Sequence, residues 1–131
     1  MHWIDFYNNE YCIEFDKFNE LRKNSNNKNM LCQKYTNIVS ISCKLIKYYI
    51  HYQGLFLFDD REVIRKAFYT GLIKDGEKWI NAVTLLKAYN YSKQAEVENL
   101  IILYCNDENC KIFEDLKNTF KSLSEAYIAN S

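Results

Sequence analysis

Apolar residues recur at helical spacing along most of this chain. Tyr7, Tyr11, Phe15 and Phe18 fall on one stripe and predict a first helix ending near Lys23. "NSNNKN", residues 24–29, reads as a loop, because Asn and Ser side chains compete for backbone hydrogen bonds. A longer second helix is expected from about Met30 to Gln53, burying Ile38, Ile41, Leu45, Ile46, Tyr49 and Tyr52. The β-branched run "TNIVSIS" also suits a strand. The apolar face nevertheless continues through "CKLIKYYIHYQ", which favours helix.

The three glycines of the chain, Gly54, Gly71 and Gly76, all lie within "GLFLFDDREVIRKAFYTGLIKDGEKW", residues 54–79. Gly54 follows the long helix, where a left-handed terminating residue is wanted. "LFLF" reads as an extended apolar connector. Asp59 with Glu62 has the form of a capping box, and Val63, Ile64, Ala67 and Phe68 make the apolar face of a short third helix closed by Gly71. Leu72 and Ile73 return the chain, and Asp75-Gly76-Glu77 opens a fourth helix with acids in its first turn, carrying Trp79, Val83, Leu86 and Tyr89 inward. Farther on, Val97, Leu100, Ile101 and Tyr104 mark another segment, and "NDEN" (106–109) a break. Ile112, Phe113, Leu116, Phe120, Leu123 and Tyr127 line a last helix. The pattern predicts an all-α, up-and-down bundle of four to six helices over residues 1–131, a single domain with a short crosswise helix in the middle. The complete absence of proline agrees with it.

Composition narrows the function classes. Apolar residues make up 48% and aromatic residues 16% of the 131, ample for a packed core rather than a disordered chain. Lys plus Arg and Asp plus Glu both number 17, so no net field draws the protein to nucleic acid or an anionic membrane. The longest charge-free stretch, Tyr48 to Phe58, is too short to span a bilayer, and the acid-bearing start "MHWIDFYNNEY" does not have the form of a signal peptide. A cytoplasmic protein with free thiols is expected: the five cysteines are odd in number and lack a C-x-x-C pair. With only His2 and His51 beside them, neither a zinc site nor a Ser-His-Asp or Cys-His arrangement can be assembled. No phosphate-cradling glycine loop is present, and no cofactor is implied.

"SCKLIKYYIHYQGL", followed at once by "DDREVIRKAFYTGLIKDGEKWINAV", resembles the nucleotidyltransferase substrate-binding family of the HEPN superfamily. The likeness is strongest over residues 42–83, with the REVIR, GLI, DGE and Trp motifs in order. It implies a helical partner of a minimal nucleotidyltransferase encoded nearby, often as a homodimer and in some pairs as toxin and antitoxin. It also implies an Asp followed by Arg-x4-His at a dimer cleft. Those positions hold Leu85, Leu86 and Tyr91 here, and the position of a modifiable Tyr holds Lys93. The residues that would stabilise charge and move a proton are therefore missing. The resemblance then implies a non-catalytic partner subunit, with Leu85-Leu86 contributing to a dry dimer interface. The alternative is a diverged HEPN toxin or RNA-binding, ribonuclease-like protein in which Lys87 supplies charge and Tyr91 a weak acid.

Candidate binding residues are Arg61, Arg65, Lys66 and Tyr69 on the polar side of the third helix, with Lys87 and Tyr91 on the fourth. Guanidinium groups suit a phosphate or a partner's carboxylate. The same residues equally suit a solvated face with Glu62 pairing Lys66. Lys17, Arg22, Lys23, Lys28 and Lys34 face only Glu20 and make the first loop locally basic, suited to a nucleotide or RNA or simply to solvent. Trp79 and Phe68 are expected in the core, and Cys43 as a small core residue.

Overall fold

The structure is a computed structural model that describes residues 2–24 and 26–131. Regular structure among these residues is entirely helical. α1 is Trp3–Phe6, followed by a π-helical turn, Tyr7–Tyr11, and then α2, Cys12–Asn24. α3 is Lys28–Tyr52, α4 Asp60–Tyr69, α5 Gly76–Tyr91, α6 Ala95–Tyr104 and α7 Asp107–Ala129. This is the all-α bundle that the periodicity predicts. α3 is its axis: the first helical segments, α4, α5 and α6 all pack on it, while α7 closes the remaining side against α2 and α5.

The π turn has a physical reason. Tyr7, Tyr11 and Phe15 are spaced by four, and in a regular helix of 3.6 residues per turn such a row drifts around the axis. One wider turn cancels part of the drift, so all three rings stay inside. They stack in sequence, with centroids 6.2 Å apart at both steps. Trp3, Phe18, Tyr35, Trp79, Phe113 and Phe120 fill the centre in mostly edge-to-face contacts, such as Trp79 against Phe113 at 5.5 Å and 89°.

Two helix ends are fixed by glycine. Gly54 and Gly71 have φ of 96° and 80°, the left-handed region open to glycine at no steric cost. At the first, Gly54 N–H donates to His51 O (2.9 Å) and Leu55 N–H to Ile50 O (3.2 Å). At the second, Gly71 donates to Phe68 O (3.1 Å) and Leu72 to Ala67 O (2.9 Å). Both are Schellman motifs, and each stops a helix and turns the chain sharply.

Several expectations are corrected. The first loop is shorter than "NSNNKN", since Asn24 still belongs to α2 and α3 begins at Lys28, its Asn27 cap accepting from Met30 N–H at 3.1 Å; Ser25 lies outside the described residues, as does Met1. Tyr52 is 53% exposed, and Ile50 takes its place inside. At the last turn of α3 the packing partners thin out, and Tyr52 joins a surface cluster with His2 and Tyr127. Leu100 is half exposed because its neighbour Ile101 is the residue aimed inward. Phe68 is also half exposed, at the edge of the buried stripe formed by Val63, Ile64 and Ala67. Trp79 and Cys43 are buried as expected, and burial pushes the Cys43 thiol up to about 12.

Candidate functional site

The candidate site is the seam between α4 and α5. Asp59 sets the start of α4: its Oδ2 accepts the Glu62 N–H at 3.2 Å, and Asp60 pairs with Lys47 of α3 at 3.7 Å. Asp75 caps α5 in the same way, accepting from Lys78 N–H at 3.2 Å. With Val63, Ile64 and Ala67 buried beneath, α4 is held rigidly while its outer face stays free.

Arg65, Phe68 and Tyr69 of α4 meet Gly76, Glu77 and Ile80 of α5 in an open cleft of about 320 Å³. Tyr69 is 85% exposed, so its ring stands in solvent at the cleft edge. Gly76 is needed for close approach, since a Cβ there would lie 3.0 Å from Phe68 Cδ1. Farther along the seam, Arg61 Nη2 reaches Thr84 Oγ1 at 3.4 Å, and Lys87 Nζ lies 3.7 Å from Asp59 Oδ1. The Asp59 carboxyl is held below the usual carboxylate range, first by the Glu62 N–H and then by Lys87. The result is a cleft with aromatic rings, a guanidinium and a nearby carboxylate on a capped and packed helix. It can bind a surface that offers an apolar side chain together with an acid.

Of the six residues predicted from sequence, the structure thus places Arg65 and Tyr69 in one cleft and Arg61 and Lys87 on the seam leading to it. Lys66, roughly 100° around the helix from Arg65, faces solvent away from the cleft. No Glu62–Lys66 ion pair forms among the described residues. Tyr91, the last residue of α5, is 93% exposed and stands apart from the cleft. Sequence reasoning missed the contributions of Phe68 and Ile80. Phe68 lies at the border of the apolar stripe, where periodicity alone does not separate core from rim.

The Leu85-Leu86 pair does not form an exposed interface. Both side chains are buried within the protein, because α5 is enclosed by α3, α4, α6 and α7. Leu86 instead floors a second groove, of about 490 Å³, whose walls carry Gln33 and Asn37 of α3 with Asn90 and Lys93 beyond. Nor is the first loop a free basic patch. Glu14 lies 3.8 Å from both Lys17 and Lys34, and Arg22 is bound to Asp107 Oδ1 at 2.8 Å. Acids distant in sequence thus pair Arg22 and Lys34, and Glu14 three residues away pairs Lys17.

No cluster of three His, Cys, Asp or Glu side chains among the described residues is arranged to hold a metal ion, and none of the described helices is long and apolar enough to cross a membrane. Residues 13–118 match a known protein family, described as nucleotidyltransferase substrate binding protein like. Comparison with curated proteins finds no match.

Proposed function

Because the chain belongs to the nucleotidyltransferase substrate-binding protein-like family, we propose that it is a non-catalytic subunit that docks on a small nucleotidyltransferase and helps present that enzyme's substrate. The observation that carries the docking role is the α4–α5 cleft, where Arg65, Phe68 and Tyr69 stand exposed on a helix that is itself firmly capped and packed. Aromatic and Arg side chains on a rigid support are the residues that dominate protein interfaces. The partner surface would offer an apolar side chain for the Phe68–Tyr69 edge and a carboxylate for Arg65. Such a complex belongs in the cytoplasm and is compatible with a homodimer of this chain that leaves the cleft open.

A non-catalytic role agrees with the loss of the charge-stabilising and proton-transfer pair, since buried Leu86 and exposed Tyr91 replace Arg and His of the resembled motif. Lys87, which would have to replace the lost charge in a ribonuclease-like protein, already pairs with Asp59.

Light scattering measures the reading directly. A mixture with the nucleotidyltransferase encoded nearest to this chain should give a species whose mass is the sum of the two partners. If each protein keeps its own mass at micromolar concentration, the partner-subunit reading fails.

A further inference from the structure

Both histidines of the chain, His2 and His51, line one cavity of about 340 Å³, although they stand far apart in sequence. Its other walls are Trp3, Tyr48 and Tyr52, so every lining side chain is an aromatic ring and none is Lys, Arg, Asp or Glu. Helical spacing builds one side: Tyr48, His51 and Tyr52 share a face near the end of α3 through i, i+3 and i, i+4 relations. The start of the chain supplies the other, because α1 packs on α3. Trp3 meets Tyr49 edge-on at 5.1 Å, Phe6 backs the Tyr48 ring at 5.1 Å, and His2 lies 5.5 Å from Tyr52.

Each imidazole is committed at one nitrogen only. His2 Nδ1 accepts from Ile4 N–H at 3.2 Å, so the neutral ring carries its proton on Nε2. His51 Nε2 lies 2.9 Å from Leu57 O. A carbonyl oxygen can only accept, so this nitrogen donates and Nδ1 of the neutral ring keeps its lone pair. One ring thus has a donor to spare and the other an acceptor. The Tyr48 and Tyr52 hydroxyls have no hydrogen-bond partner among the described residues. Trp3, only 2% exposed, carries a buried Nε1–H without an acceptor. Flat apolar faces beside uncommitted donors and acceptors suit a ring that is itself flat and has both along its edge.

We propose that this cavity binds the base of a nucleoside, packed against the Tyr48 and Tyr52 rings and hydrogen-bonded along its edge by His2 and His51. The volume is at the small end for ligand sites and matches one base with its sugar rather than a dinucleotide. With no Lys or Arg in the lining, a phosphate gains no cation to hold it and lies outside the cavity. A quaternary ammonium, the other ligand that aromatic walls take, would leave the uncommitted donors and acceptors unmet. The cavity shares no residue with the α4–α5 cleft, so it stands or falls separately from docking on a nucleotidyltransferase.

The test is titration calorimetry on the full chain alone, with adenosine, AMP, a short oligoadenylate and choline as probes. Adenosine should bind one to one with a Kd of about 1 mM or below. AMP and the oligoadenylate should bind within about threefold of adenosine, since phosphates find no cation in the cavity. Tyr52→Ala should weaken adenosine by about ten- to a hundredfold, the loss expected of a stacking ring. Tyr52→Leu, which keeps an apolar side chain in contact with its neighbours, should lose the same affinity, and Tyr69→Ala in the α4–α5 cleft should lose none. The proposal is overturned if adenosine shows no saturable binding, if choline binds more tightly than adenosine, or if both Tyr52 variants bind adenosine like the wild type. A gain above about tenfold for AMP or the oligoadenylate also overturns it, because phosphate and not the base would then be the recognised group.

Discussion

The Tyr11 hydroxyl donates to the Phe113 carbonyl oxygen at 2.6 Å, joining the π turn near the start of the chain to α7 near its end. The bond is buried, and Tyr7 makes a parallel one to Lys117 O at 2.9 Å, one helical turn along. The two phenols therefore fix the register of α7 against the first helix, where ring stacking alone would leave sliding as a soft motion. Tyr11→Phe keeps the ring and removes the donor. It should lower unfolding stability by about 1–1.5 kcal/mol, seen as a shift of the urea midpoint at unchanged slope. An unmoved midpoint would mean that ring packing alone sets the register.

Buried phenols also make the fold sensitive to base. Burial raises Tyr11 and Tyr35 well above the ordinary phenol value of about 10. In the unfolded chain both ionise near that value, so above it the folded state binds more protons and stability falls as pH rises. The loss should be absent below about pH 9 and steepen above about pH 10, at up to about 1.4 kcal/mol per pH unit for each phenol. Urea titrations at stepped pH check this. In Tyr35→Phe the alkaline slope should be shallower by one proton's worth, whatever the variant's stability at neutral pH.

How far the sequence speaks for itself differs between fold and site. Tyr7, Tyr11, Phe15 and Phe18 were legible as one buried stripe, but their wide turn was not, because spacing by four is compatible with gentle drift as well as with a π turn. Gly54 and Gly71 were legible as helix ends, since few other residues suit a left-handed stop. At the site, Arg65 and Tyr69 could be placed on the polar side of a short helix, but that Ile80 and Gly76 would face them depended on how α5 packs. Pairings across the chain, such as Glu14 with Lys34 or Arg22 with Asp107, leave no local signal at all. The Leu85-Leu86 pair shows the reverse error: apolar residues replacing polar ones suggested an interface, where the fold simply took them inside.

The glycines separate backbone need from spatial need. An added Cβ at Gly54 meets nothing within 4 Å, so Gly54→Ala is purely a conformational insult. At φ 96° it should cost about 1–2 kcal/mol, read as a lowered melting temperature. Gly76 carries no such backbone constraint, and its substitution presses on the half-exposed Phe68 ring, which is able to swing outward. Gly76→Ala should therefore melt close to the wild type while losing affinity for a docking partner. If Gly76→Ala unfolds the protein instead, Phe68 is a structural element and not a movable wall of the cleft.

The docking role makes a sharper demand on individual side chains. Tyr69 and Arg65 project from α4 beside one cleft, whereas Lys66 occupies the same helix but faces away. Because Tyr69 is 85% exposed, Tyr69→Ala should leave the melting temperature unchanged while weakening the nucleotidyltransferase complex by about ten- to a hundredfold, the loss expected of an aromatic anchor. Arg65→Glu should do at least as much, since it places a like charge against the expected carboxylate. Lys66→Glu, with the same change of charge, should bind within about twofold of wild type, as exposed rim charges contribute little. Titration calorimetry on the three variants separates a cleft from a general basic surface. Equal losses for Arg65→Glu and Lys66→Glu with none for Tyr69→Ala would mean that charge alone drives association and that the cleft plays no part in it.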